Sequence, residues 1–227
     1  MSLKHLVTAL VIAITAAGPA TAQDWAGRTI GLQLGHVSGS PAHTRVLPAG
    51  RQGHEVSTDG MTVGLSYGHT WQRGRLIFGI DGDLAVSDAA GRTVRRGGGN
   101  APCGRGRGGC DHAVNALATV QGRLGFALEN GILPYVTGGL AVADVSATAS
   151  IGRCGATPCT VDGIETGYTV GFGIEVPMPD RWSLRSEVSR VDLGTVRFDR
   201  SSNPAGNRFI ETDLSYTHVS IGFHRRF

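Results

Sequence analysis

From Met61 to Trp71 the chain alternates large and small side chains without a break. Met61, Val63, Leu65, Tyr67, His69 and Trp71 fall on one face, and Thr62, Gly64, Ser66, Gly68 and Thr70 on the other. A period of two is a β-strand whose faces meet different surroundings. The pattern recurs roughly eight times along the chain, which makes the fold all-β. Beyond residue 22 no apolar run reaches the roughly 18 residues that a membrane-spanning helix needs.

The strands are expected at about 27–37, 61–71, 75–86, 115–127, 132–143, 166–176, 181–193 and 213–227. In each, the bulky apolar residues share one face, as with Leu76, Phe78, Ile80 and Leu84, or Tyr168, Val170, Phe172 and Ile174. The fifth strand contains Pro134, which lacks a ladder donor and so belongs near the strand's start. The connections alternate in length. Gln72-Arg73-Gly74, 128–131 and 177–180 are tight, whereas 38–60, 87–114, 144–165 and 194–212 are long. Strands that turn a bulky face to lipid and a small or polar face to a narrow lumen, joined by short turns at one rim and long loops at the other, make an outer-membrane barrel. The expected architecture is an eight-stranded antiparallel up-and-down transmembrane β-barrel with both termini at the short-turn, periplasmic rim. A soluble eight-stranded ligand carrier is the main rival, but it would put its large apolar residues inside. Trp71, Trp182 and Phe227 near the expected rims favour the membrane, where aromatic girdles sit.

The first residues read as a processing segment. Lys4 and His5 precede a 12-residue apolar stretch, 6–17, and Ala20-Thr21-Ala22 is a small-x-small cleavage site. Residues 1–22 are therefore expected to be a cleaved signal peptide and 23–227 the barrel domain. Removing the signal leaves arginine as the only fully charged base and lowers the net charge from +3 to +2, so charge gives nucleic-acid binding no support. Glycine is 35 of 227 residues, about twice its usual share, and repeatedly occupies the small face of strands. Four cysteines form two close pairs, Cys103/Cys110 and Cys154/Cys159. The oxidising periplasm permits disulfides, and four cysteines allow three pairings. The two local bridges are favoured because each pair lies within one expected loop. A four-thiolate zinc site is the alternative, although neither pair has C-x-x-C spacing.

Several stretches carry a family likeness: Gly79-Ile80-Asp81-Gly82-Asp83, Gly122-Arg123-Leu124-Gly125-Phe126-Ala127, the run Leu133-Pro134-Tyr135-Val136-Thr137-Gly138-Gly139-Leu140-Ala141, Trp182-Ser183-Leu184-Arg185-Ser186-Glu187 with Val191-Asp192-Leu193-Gly194, and the closing Val219-x-Ile221-Gly222-Phe223 with Phe227. With them, residues 23–227 resemble the OmpA-like, opacity-type outer-membrane β-barrel family in its alphaproteobacterial surface-antigen branch. The resemblance implies outer-membrane residence and insertion guided by the last strand, with Phe223 and Phe227 as its signal. Barrel-assembly machinery and periplasmic chaperones are the implied partners during insertion, then outer-membrane lipid and lipopolysaccharide. It implies no catalytic residues. Two strands depart from the family pattern: Arg225 in the last stands where an aromatic is usual, as do Val188 and Arg190 in the seventh.

Six charged residues, Asp81, Asp83, Arg123, Glu175, Arg185 and Glu187, fall on expected inward faces. An eight-stranded barrel is only just wide enough for side chains to fill it, and unpaired charges there would be costly. They are expected to pair across the lumen as a polar plug; a narrow ion or water path is the competing reading. A paired-carboxylate hydrolase would need a cleft that a filled lumen lacks. The second long loop carries Arg92, Arg95, Arg96, Arg105 and Arg107, suited to phosphate contacts with lipopolysaccharide or another polyanion, or else simply solvated. His218-Val219-Ser220 is similar to the His-x-Ser of barrel lipid A deacylases, but alternation turns both residues inward and no acid follows to orient the histidine. His43 and His54 in the first loop lack a third ligand at useful spacing and read as solvated rather than metal-binding. The expectation is a monomeric structural barrel that supports the envelope and presents surface loops, with no cofactor, metal or nucleic acid. A low-conductance channel is the alternative, and a lipid A-modifying enzyme the remote one.

Overall fold

The structure, a computed structural model, describes residues 24–40, 42–47, 50–55, 57–93, 110–149, 159–198 and 210–227. The expected signal peptide lies outside these residues. Ten strands follow in chain order: β1 (Gly27–Gly39), β2 (Ala42–Leu47), β3 (Gly50–Glu55), β4 (Thr58–Arg73), β5 (Leu76–Thr93), β6 (Cys110–Phe126), β7 (Leu133–Ala149), β8 (Cys159–Pro177), β9 (Trp182–Phe198) and β10 (Ile210–Arg226). Eight of them form a closed antiparallel barrel, sealed by β1 against β10 from Thr29↔Arg226 to Gly39↔Tyr216. Reciprocal backbone bonds between Arg28 and Phe227, 3.2 and 3.0 Å, extend the seal to the last residue.

The register fixes the barrel's shape. Followed once round, Thr29 leads through Gly68, Asp81, Gln121, Gly139, Thr169, Val191 and Tyr216 to Gly39, an offset of ten residues on β1. With about 3.3 Å per residue and about 4.8 Å between strands, that offset tilts the strands by about 41° and sets a backbone radius of about 8 Å. Bulky residues cover the outside: Leu140 and Phe172 keep 70% and 65% of their surface exposed, a state that water would disfavour and lipid does not. Two faces hold surprises. Gly82, Gly122 and Gly138 face outward rather than into the lumen. The outer half of the lumen is apolar, filled by Val37, Leu117, Ala143, Val145, Leu193 and Tyr216 among others. The expectation of small and polar inward residues therefore holds best at mid-height, and bulky apolar side chains join them above and below.

The tight turns sit where expected, and Pro134 is the second residue of β7. The long loops are shorter than expected, because ladders run on to Thr93↔Cys110, Ala149↔Cys159 and Phe198↔Ile210. The first connection contains the β2–β3 hairpin, which docks on β10 through Arg45↔Ile210 and His43↔Thr212. Hydropathy alternation stops where lipid stops, whereas backbone groups still need partners above it.

One seam is not laced to its end. Among the described residues, β8 and β9 pair only from Tyr168↔Asp192 down to Pro177↔Ser183. Above that rung β9 pairs with β10 alone. Gly194, at φ +75°, bends β9 inward, and its N–H donates to Asp192 Oδ1 at 2.8 Å. Gly167 of β8 meets the bend: a Cβ there would overlap the Asp192 carbonyl.

Candidate functional site

The lumen contains three layers. At the periplasmic end Trp25, Ile77 and Leu133 are buried against each other. Trp25 is held by its backbone N–H, which donates to Gln72 Oε1 at 2.6 Å, and by the Arg226 guanidinium 4.6 Å above its ring. Above it lies the charge network, and above that the apolar layer, where the Tyr216 hydroxyl and His112 Nε2 share a hydrogen bond of 2.9 Å.

Arg123 on β6 is the hub. Its Nη1 donates to Glu175 Oε2 at 2.6 Å, and Nη2 to Thr70 Oγ1 at 3.0 Å and Asp81 Oδ1 at 3.3 Å. Its Nε and Asp81 Oδ2 lie 3.0 Å apart as an ion pair without hydrogen-bond alignment. Arg185 on β9 donates through Nη2 to the same Glu175 oxygen at 3.2 Å and approaches Asp81 at 3.7 Å. Glu175 Oε1 accepts from the Ser183 hydroxyl at 2.6 Å and faces Arg226 at 3.6 Å. Inward positions on β5, β6, β8, β9 and β10 thus converge on one buried cluster. Tyr135 caps it, its ring 5.4 Å from Arg123 and 5.8 Å from Arg185.

Asp83 and Glu187 lie outside this cluster, one layer nearer the cell exterior. Asp83 accepts from Gln33, Thr119 and Gln121 at 2.9, 3.1 and 3.2 Å. Glu187 accepts from Tyr135 at 3.0 Å and Thr137 at 3.5 Å. Both border a cavity of about 30 Å³ that also touches His218 and Ser220, room for about two waters. His218 and Ser220 thus face the lumen, and His218 Nε2 bonds the Thr62 hydroxyl at 3.0 Å.

Of the loop arginines, Arg92 pairs with Asp111 at 3.3 Å in an exposed contact; Arg95, Arg96, Arg105 and Arg107 lie outside the described residues. So do Cys103 and Cys154. Cys110 and Cys159 are both opposite Ala149 in the register, two strand spacings apart, which at about 10 Å is beyond direct disulfide reach. His43 is opposite His54 across the β2–β3 hairpin. Phe223 and Phe227 are exposed on the outer face. Sequence reasoning passed over Trp25, His224 and Arg226. Alternation carried to the end of β10 places His224 and Arg226 inward, whereas Trp25 precedes the first strand and has no period to reveal it.

The comparisons agree with this geometry. Residues 6–227 match the family described as "Outer membrane protein beta-barrel domain". The chain is 26% identical over 219 residues to the 31 kDa outer-membrane immunogenic protein of Brucella melitensis, covering 93% of this chain and 87% of that one. It is 28% identical over 164 residues to the 22 kDa outer membrane protein of Rhizobium leguminosarum, covering 71% and 66%. The crystal structure of OprG from Pseudomonas aeruginosa superposes with a TM-score of 0.56 at 12% identity, over 89% of this chain and 96% of that one; at that identity the likeness concerns the fold. The protein is an outer-membrane protein, and the chain belongs to the outer-membrane β-barrel family.

Proposed function

We propose that the protein is a structural element of the outer membrane, a closed barrel that supports the envelope and holds its loops at the cell surface. The observation that carries this reading is the closure of the lumen in three successive layers, with space for only about two waters at mid-height. The arginine–carboxylate cluster works as a cross-brace: it ties five strands together and fills the space through which ions would pass. The Brucella relatives are named immunogenic proteins, in keeping with loops that meet the outside. A non-catalytic role fits the lumen-facing His218 and Ser220, which cannot reach a lipid substrate.

Planar-bilayer conductance of the refolded barrel tests the reading, with wild type beside Arg123→Ala. Neither should show discrete steps, because the Trp25 layer and the outer apolar layer remain when the hub is removed. Small wild-type steps whose ion selectivity changes with Arg123→Ala would instead make the lumen charges a conduction path.

A further inference from the structure

The outward residues of the periplasmic edge form a row across four strands. Trp182 on β9 is opposite Arg225 on β10. Arg225 is opposite Ile30, and Phe227 is bonded across to Arg28 on β1. Arg28 is opposite His69 on β4, two residues from Trp71. Arg28 and Arg225 are therefore diagonal neighbours on one face of the β1–β10 seam, within reach of each other's long side chains. Both are exposed, and each tryptophan keeps about two-fifths of its surface open. The Arg225 guanidinium lies 5.8 Å over the Trp182 ring.

This row lies at the height where hydrocarbon gives way to headgroups, because tryptophans mark that boundary. No aspartate or glutamate occupies an outward position in the periplasmic half of β9, β10, β1 or β4. Asp24 and Asp180 lie in the segments beyond the strands, as do Arg181 and the exposed Arg75–Glu129 ion pair, and Arg73 ends β4. The opposite rim has exposed charges of both signs. Exposed Asp59, Asp88, Asp144 and Asp213 ring it, against Arg92 and Arg190 among the described side chains.

We propose that Arg28 and Arg225, flanked by Trp182 and Trp71, form a binding site for the phosphodiester headgroup of an anionic phospholipid in the periplasmic leaflet. The guanidinium forks hold the phosphate oxygens, and the aromatic rings and Phe227 pack beside the upper acyl chains. The site straddles the seam that closes the barrel, so a bound lipid bridges the first and last strands. This inference concerns the outer surface and stands apart from the state of the lumen.

The test uses the full barrel refolded in phosphatidylcholine nanodiscs that contain trace spin-labelled phosphatidylglycerol or spin-labelled phosphatidylcholine. Wild type should hold the phosphatidylglycerol label in preference, by about fivefold for each guanidinium engaged. Arg28→Gln with Arg225→Gln should remove most of that preference, whereas Arg92→Gln at the other rim should leave it. If the double variant fails to fold, judged by heat-modifiable gel mobility, the two single variants should each remove part of the preference. Added inorganic phosphate should not displace the lipid; displacement would reduce the site to a bare phosphate contact. Equal retention of both labels by wild type, or unchanged selectivity in the glutamine variants, overturns the proposal.

Discussion

At the scale of single residues, Arg123 and Glu175 decide whether the lumen is stable. Both are buried, and each is satisfied mainly by charged neighbours. Removing one partner of a buried pair leaves the other uncompensated, at a cost of about 3–5 kcal/mol. Arg123→Ala should therefore lower the free energy of unfolding from phospholipid vesicles, read from urea titration, by an amount of that order. Arg123→Ala combined with Glu175→Gln should lose less than the sum of the two single changes, because no orphan carboxylate remains. Strict additivity in that cycle would show that the two groups do not brace each other. The positions of these charges were legible because alternation along β6, β8 and β9 turns them inward. Their grouping was not. Asp83 and Glu187 share the same phase, yet each lies two residues further out on its strand than Asp81 and Arg185, and only the register reveals which inward residues of the other strands share that height.

At the scale of the element, sequence legibility follows the lipid. Within the bilayer each strand must show hydrocarbon a bulky face, so alternation is strong and the strand positions were readable. Above it the outer face passes to residues such as Asp88, Asp111 and Thr148, and the pattern fades although the ladder continues. The same contrast predicts how substitutions depend on depth. Leu32→Arg, near mid-height of the lipid band, should cost about 2–4 kcal/mol, and Met61→Arg, near its upper edge, about 0–1 kcal/mol. Vesicle unfolding titrations check both; equal costs would mean that the band is misplaced. The β8–β9 seam gives a second expectation. In hydrogen exchange, alternate amides of 162–167 should exchange quickly, while those of 168–176 stay protected. Uniform protection along β8 would mean that the seam is laced above Tyr168 after all.

At the scale of the whole molecule, the barrel is a column closed by three different materials: an aromatic foot, an ionic waist and an apolar head. Each fills the described lumen by its own physics, so loss of one leaves the other two in place. The charge inventory alone leaves the two readings open, because charges in a lumen are common to plugs and channels. The foot rests on Trp25, which no period announces, and the head on inward apolar residues that only the register assembles.

The unlaced seam also makes the molecule mechanically uneven. A hoop with a cut carries no tension across the cut, so a load on the outer ends of β8 or β9 is not shared around the ring. It concentrates at the Tyr168–Asp192 rung, where the Tyr168 hydroxyl also donates to Asp192 Oδ2 at 3.0 Å. Among the described residues the outer end of β8 has only β7 to peel from, so a tear started there should halt at that rung and leave the membrane-embedded ring whole.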